Sequence, residues 1–169
     1  MDEQLRKLIT GAIESMDHQM DGLSSGRSSV NDWQIGVAQD LLVHHYAAHM
    51  AGSGSREVSD QARQRLNTLI GQQIDRLNAF ADTLEGAEPS EADAARLRMY
   101  ANAVRASWWM GKAGGVDLPV YPGACPDCWS NCRCALDMQE DGVYWICVAD
   151  RNSCGACKTR GDTWRPYKE

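Results

Sequence analysis

The sequence predicts a mainly α-helical protein, a bundle of about four helices followed by a small cysteine-rich module with a β-hairpin, similar to a zinc ribbon. Apolar side chains recur at helical spacing through most of residues 1–117, and short polar joints rich in glycine and serine separate these segments. All seven cysteines fall in the last quarter of the chain. We therefore divide the chain into a helical domain, residues 1–117, and a metal-binding module, residues 118–169.

The composition is that of a folded protein. Of its 169 residues, 43% are hydrophobic and 24% are charged, which is enough apolar surface for a core. No stretch approaches the ~18 consecutive apolar residues of a spanning helix, and the first ten residues lack a secretory signal pattern. We expect neither membrane insertion nor secretion. The net charge of -6 also disfavours a general nucleic-acid binder.

The first two helices are separated by a polar joint. The first runs from Asp2 to Met20 and is ended by a glycine- and serine-rich stretch of about ten residues. Because this joint is long, we expect the first helix to dock on another subunit. The second helix is predicted to begin after an Asn31 cap, with Gln34 as its capping-box partner, and to end near Gly52.

The third and fourth helices have clear boundaries. Ser59 begins the third, which shows apolar residues over more than four turns and ends at Gly86. Ser90 and Asp93 form a second capping box at the start of the fourth. Gly111 and the glycines that follow it end that helix.

A histidine cluster on the second helix is the first alternative metal site. His44, His45 and His49 share a helix face in part, but no set of carboxylates accompanies them. We therefore expect them to be structural, and likewise expect Trp108 and Trp109 to pack in a core or an interface. No phosphate-binding loop, nucleophile elbow or zinc-protease motif is present, so we do not expect an enzyme.

The cysteine-rich module is too small to fold on apolar contacts alone. Two short β-type runs, 133–138 and 143–148, flank a turn at 139–142 and predict a hairpin. About fifty residues with one hairpin need a cross-link. Seven cysteines, an odd number, fit metal ligation better than a disulfide framework.

Zinc is the metal that suits this pattern, as one structural ion per chain. Cys154 and Cys157 form one ligand pair at the usual spacing. The other pair must come from the four cysteines between 125 and 134. Cys125 and Cys128 have the better spacing for a ligand pair, whereas Cys132 and Cys134 lie closer to the hairpin. Disulfides or metal-free thiols remain alternatives. Cys147 is interpreted as a small buried hydrophobe.

Basic residues beside the ligands complete the predicted site. Four thiolates around one zinc ion leave a charge of about -2. Arg133, Lys158 and Arg160 are close to the cysteines in sequence and are expected to offset it.

Residues 118–136, LPVYPGACPDCWSNCRCAL, resemble a segment of tailed-bacteriophage minor head proteins of the Mu-like head-morphogenesis family. That segment has a Leu-Pro and Tyr-Pro-Gly lead-in, an Asn-Cys-Arg-Cys element, a later Cys-x-x-Cys and a Trp-x-Pro. The helices from about Asn31 onward are similar too. The matching residues are Leu118, Pro119, Tyr121, Pro122, Gly123, Cys128, Asn131, Cys132, Arg133, Cys134, Cys154, Cys157, Trp164 and Pro166.

The resemblance narrows the choice of zinc ligands. It implies that the four ligands are drawn from five matching cysteines: Cys128, Cys132, Cys134, Cys154 and Cys157. Cys125 is an addition to the family pattern, and Trp129-Ser130 replaces a His-Pro.

The resemblance also implies the function. We expect a structural virion protein of a tailed phage, a minor head or head–neck component assembled in the host cytoplasm. Its partners would be portal, major capsid or connector subunits, with several copies in each particle and no membrane or sequence-specific nucleic acid. Trp129 and Trp164, taken as exposed, are candidate interface anchors. The alternatives are a zinc-ribbon phage regulator that binds nucleic acid, and a zinc-dependent enzyme.

Overall fold

Four long helices form the first two thirds of the chain. The computed structural model describes residues 2–148 and 153–167, with the backbone alone of Ser130. The helices are α1 (Glu3–Ser24), α2 (Val30–Ser53), α3 (Asp60–Leu84) and α4 (Glu91–Lys112). The predicted bundle of four helices is confirmed. None of the helices in the described part has the length and apolar character needed to cross a bilayer.

Serine side chains begin three of these helices. Ser59 Oγ accepts a hydrogen bond from the Ala62 N–H, and Ser90 forms the predicted capping box with Asp93. Each such cap contributes about 1 kcal/mol to helix stability. The predicted Asn31 cap is wrong, because Ser29 Oγ already accepts the Asp32 N–H at 3.1 Å. Asn31 therefore lies inside the first turn of α2.

The first helix packs within its own chain. Its buried side chains face α2 and α4. Arg98 of α4 donates to the Asp17 carboxylate at 2.7 Å, and Gln19 donates to Asp40 of α2 at 2.9 Å. The joint to α2 is only residues 25–29. The expectation that α1 docks on another subunit is wrong, since its apolar face is already covered.

The core of the bundle lies around α2. Trp33 of α2 is fully buried and meets Phe80 of α3 edge to face, with ring centroids 5.5 Å apart. Leu41 and Leu66 are also fully buried, and burial of each leucine side chain stabilises the fold by about 1.5–3 kcal/mol. This core continues without a break into the cysteine-rich module.

The predicted hairpin is present in the module. Strands β1 (Ala135–Gln139) and β2 (Gly142–Ile146) are antiparallel, with Gln139 opposite Gly142 and two residues in the turn. Gly142 has φ +140°, a conformation that favours glycine. A fifth helix, α5 (Gly155–Thr163), follows and was not predicted.

The end of the described chain returns to the hairpin. The Tyr167 N–H donates to the Val143 carbonyl at 2.7 Å. Trp164 is only 8% exposed and its ring lies between those of Trp145 and Tyr167, at 5.2 and 4.5 Å. Trp164 is therefore a core residue of the module, and its expected role as an exposed interface anchor is wrong.

The module docks on α3 and α4. The Trp129 ring, partly buried, meets Tyr100 edge to face at 5.2 Å and lies under the Arg76 guanidinium at 4.8 Å. Arg65 of α3 forms an ion pair at 2.8 Å with Asp117, the residue directly before the module. These contacts hold the cysteine-rich segment against the bundle and fix where its thiols lie.

Candidate metal centre

Cys125 and Cys128 are presented by a tight turn at the start of the module. The Trp129 N–H donates to the Cys125 carbonyl and the Asn131 N–H donates to the Cys128 carbonyl, both at 2.7 Å. The lead-in is held close to α4 because Gly123 has φ +97° and a Cβ there would lie 3.1 Å from the Ala106 nitrogen. The turn therefore holds both thiols near α4, where they meet the cysteines near the end of the chain.

Cys154 and Cys157 are presented by the first turn of α5. Cys154 is the N-cap of this helix, and its Sγ accepts a hydrogen bond from the Cys157 N–H at 3.4 Å. Backbone N–H groups at a helix N-terminus favour a negative charge. The first turn of α5 thus holds these two sulfur atoms side by side at the start of the helix.

These two turns bring four thiols together. The Sγ atoms of Cys125, Cys128, Cys154 and Cys157 all lie within 4.8 Å of one another. Cys125 Sγ is 3.9 Å from Cys154 Sγ, and Cys128 Sγ is 3.6 Å from Cys157 Sγ. A tetrahedral zinc ion with Zn–S bonds of about 2.3 Å places its sulfur ligands about 3.8 Å apart. The four thiols therefore fit a tetrahedral metal ion.

The sulfur atoms are not paired as disulfides. A disulfide bond is about 2.05 Å long, far shorter than the separations between these thiols, and all seven cysteines are free. The cluster is thus a set of thiols available as metal ligands.

Burial and hydrogen bonds, one of them from an arginine, shift the pKa values of Cys125, Cys128 and Cys157. Burial raises the pKa of Cys128, and it raises that of Cys157 to about 12. Burial also acts to raise the pKa of Cys125, but hydrogen bonds from the Asp127 backbone and from Arg160 outweigh it and lower this pKa. Arg160 Nη1 lies 3.4 Å from Cys125 Sγ. A bound cation would favour the thiolate forms of Cys128 and Cys157, because metal ligation requires deprotonated thiols.

A second group of thiols adjoins the first. Cys132, Cys134 and Cys157 also lie within 4.8 Å of one another, and all three are buried. A hydrogen bond between Cys132 and Cys134 lowers the pKa of Cys132 to about 5 and raises that of Cys134. The two groups share Cys157, so six thiols form one continuous cluster.

Arg105 of α4 supplies positive charge to the second group. Its Nη1 donates to the Cys132 carbonyl. Burial lowers the Arg105 pKa, whereas the charges of Cys132 and Cys134 raise it. Arg105 is remote from the cysteines in sequence, and no local pattern could have identified it.

The structure brings all five cysteines implied by the resemblance into this cluster, and adds Cys125 to them. Cys125 completes the four-thiol group, whereas Cys132 and Cys134 form the second group with Cys157. The Cys-x-x-Cys spacing of Cys125 and Cys128 was the feature that pointed to this residue.

The other predicted neighbours have different positions. Among the predicted basic residues, Arg160 contacts a thiol of the four-thiol group and Lys158 is exposed. Cys147 is half-buried and lies beside Gly161, outside both thiol groups. It directly follows β2. The prediction of a small buried hydrophobe within a strand is therefore confirmed only in part.

The histidines of α2 belong to neither group of thiols. His45 is fully buried, and its Nδ1 is 2.7 Å from Ser107 Oγ of α4. Burial lowers the pKa of His45 to about 3, with the nearby His44 acting in the same direction. Within the described residues, the candidate metal-binding groups contain cysteines alone. The structural role expected for His45 agrees with this geometry.

Comparison of the chain with protein-family models, with curated proteins and with solved structures finds no match.

Proposed function

We propose that the chain is a non-enzymatic structural protein of a tailed-phage head or head–neck region, and that one end of it is held by a structural zinc ion. The ligands of this ion are Cys125, Cys128, Cys154 and Cys157. The observation that carries the zinc site is the grouping of these four sulfur atoms within 4.8 Å of one another, with 3.9 Å between Cys125 and Cys154 and 3.6 Å between Cys128 and Cys157.

The donor set favours zinc. Four soft thiolates in a tetrahedral arrangement select zinc or iron over magnesium and calcium, which prefer oxygen ligands. Zinc has no redox chemistry of its own, which suits an ion whose task is to link two turns of a small module. Arg160 beside Cys125 offsets part of the negative charge of a tetrathiolate site.

The site geometry supports a structural role over a catalytic one. Four protein ligands complete the coordination shell, whereas catalytic zinc keeps one position for water or substrate. The small cavity beside these thiols has a volume of about 10 Å³, and five cysteines line it, Cys125 not among them. That volume is about the space of one water molecule, which leaves no room for a substrate.

The resemblance to phage minor head proteins supports a location in the phage head or head–neck region. The residues that carry this resemblance are the ones that form the folded module. Leu118 and Tyr121 are buried, Gly123 makes the close approach to α4, and Trp164 fills the module core. A zinc-held module fixed to a helical bundle offers a rigid surface for portal, major capsid or connector subunits. Closed symmetry in the particle would then require several copies.

The test is to locate the chain in particles. Tailed particles from the host that encodes it would be purified by density gradient, washed at high salt and probed with an antibody to the chain. We expect it on DNA-filled heads or on their tail-attachment region. Recovery from the soluble fraction alone, with binding to duplex DNA that falls steeply with salt, would contradict the proposal and favour a regulator.

A further inference from the structure

We infer that the cysteine cluster binds a second zinc ion, held by Cys132 and Cys134 and sharing the Cys157 thiolate with the first. This inference rests on the zinc site proposed above, because the shared ligand belongs to that site. A single ion at the four-thiol group uses only four of the six clustered thiols and leaves Cys132 and Cys134 unliganded.

The geometry of the second group suits an ion. The Sγ atoms of Cys132, Cys134 and Cys157 all lie within 4.8 Å of one another, close to the separation of about 3.8 Å between sulfur ligands of one zinc ion. Cys132 and Cys134 are 2% and 6% exposed. An ion between these three buried thiols would thus be shielded from solvent.

Cys128 is the candidate for the fourth ligand, although it lies outside the group of three thiols that are within 4.8 Å of one another. It lines the same small cavity as Cys132, Cys134 and Cys157, and its Sγ is 3.6 Å from that of Cys157. It also hydrogen-bonds with Cys132. With Cys128 and Cys157 both shared, each ion has four sulfur ligands. Cys125 and Cys154 would then be the terminal ligands of the first ion.

Two arginines balance the charge of such a cluster. Six thiolates and two zinc ions leave a net charge of about -2. Arg160 lies 3.4 Å from Cys125 Sγ on the first side, and Arg105 donates to the Cys132 carbonyl on the second. A buried guanidinium next to two thiolates stabilises the fold through charge attraction. Next to neutral thiols, the same guanidinium has no negative charge to offset the cost of its burial. The position of Arg105 therefore fits a metal-bound second group.

The experiment is a count of metal ions on the full-length chain. Protein purified with zinc under reducing conditions would be weighed by native mass spectrometry. We expect two zinc ions per chain in the unaltered protein and one in the double variant Cys132→Ser with Cys134→Ser. The control variant Cys147→Ser should retain two, because its thiol lies outside both groups.

The outcomes separate the two proposals. One zinc ion in the unaltered protein would overturn the second site and leave the first intact, whereas none would overturn both. A second measurement does not depend on how the variants fold. In protein loaded with ¹¹³Cd, we expect the β-protons of Cys157 to couple to two cadmium resonances. Coupling of Cys157 to one resonance alone would exclude the shared thiolate.

Discussion

Gly111 of α4 lies directly against the His49 carbonyl of α2. A Cβ at Gly111 would fall far inside van der Waals contact with that oxygen, and a Cβ at Gly52 would do the same with the Trp108 carbonyl. The two glycines thus let the backbones of α2 and α4 touch where the helices cross. This crossing fixes α4, on which the cysteine-rich module is docked.

A methyl group at this crossing should separate the two helices. We expect Gly111→Ala to reduce the free energy of unfolding by about 1–3 kcal/mol, since an extra carbon in a packed contact must displace backbone. Gly71→Ala is the matched control, because no atom lies within 4 Å of a Cβ at that position in α3. The control should stabilise the protein by about 0.5–1 kcal/mol. Chemical denaturation measures both, and equal effects of the two variants would contradict the close contact.

The buried His45 should make stability depend on pH. Its pKa is lowered from 6.5 to about 3 by burial, so the unfolded chain binds a proton that the folded chain does not. The contribution of neutral His45 to the free energy of unfolding is fully present above pH 6.5 and is lost as the pH falls toward 3. Between these two values, the free energy of unfolding changes by up to about 1.4 kcal/mol per pH unit.

The His45 contribution is isolated by substitution. We expect His45→Asn, which keeps a polar atom facing Ser107, to reduce the dependence of unfolding free energy on pH between about 6 and 4. The comparison of slopes removes the effects of acid on other groups, including the thiols. A slope identical to that of the unaltered protein would show that His45 is not buried in its neutral form.

Arg160 should strengthen zinc binding through Cys125. We expect Arg160→Met to weaken zinc affinity by about 10- to 100-fold, the usual effect of losing a partner of a metal ligand. Lys158→Met is the control, since it removes the same charge from the same helix at an exposed position. Competition with a chelator measures both affinities. If the two variants weaken zinc equally, net charge and not the contact with Cys125 is responsible.

Cys125 is one of the four ligands that the structure favours, but it is not among the five cysteines that the resemblance implies. Substitution of Cys125 therefore distinguishes the two ligand sets. We expect Cys125→Ser to weaken zinc binding by more than about 100-fold, because it removes a direct ligand. Cys147→Ser should leave the affinity unchanged. Chelator competition again gives the values, and a Cys125→Ser variant with unaltered affinity would exclude Cys125 from the site.

The long helices could be predicted because their apolar residues repeat over many turns. The structural roles of individual residues within these helices could not be predicted. The sequence predicts helix ends at residues 52–55 and from Gly111 onward, and α2 and α4 do end there, at Ser53 and Lys112; it does not predict that Gly52 and Gly111 also form the helix crossing. A glycine needed for a close contact and one that ends a helix look alike in sequence, since the neighbour is remote along the chain.

The metal centre could be predicted in kind but not in detail. Cysteine spacing identified the pair Cys154 and Cys157 and left the second pair open. The choice depends on how the turn at Cys125 and Cys128 sits against α4, which is a tertiary contact. Helix α5 was missed because nine residues with alanine, glycine and polar side chains carry no apolar stripe.

The most direct test of the zinc-held module is hydrogen exchange on the full-length protein before and after zinc removal. Zinc would be removed with a chelator under reducing conditions, so that no disulfide can replace it. We expect peptides covering β1, β2 and α5 to lose protection while those of α1 to α4 keep most of theirs. Unchanged protection of the module without metal would contradict a structural role for zinc.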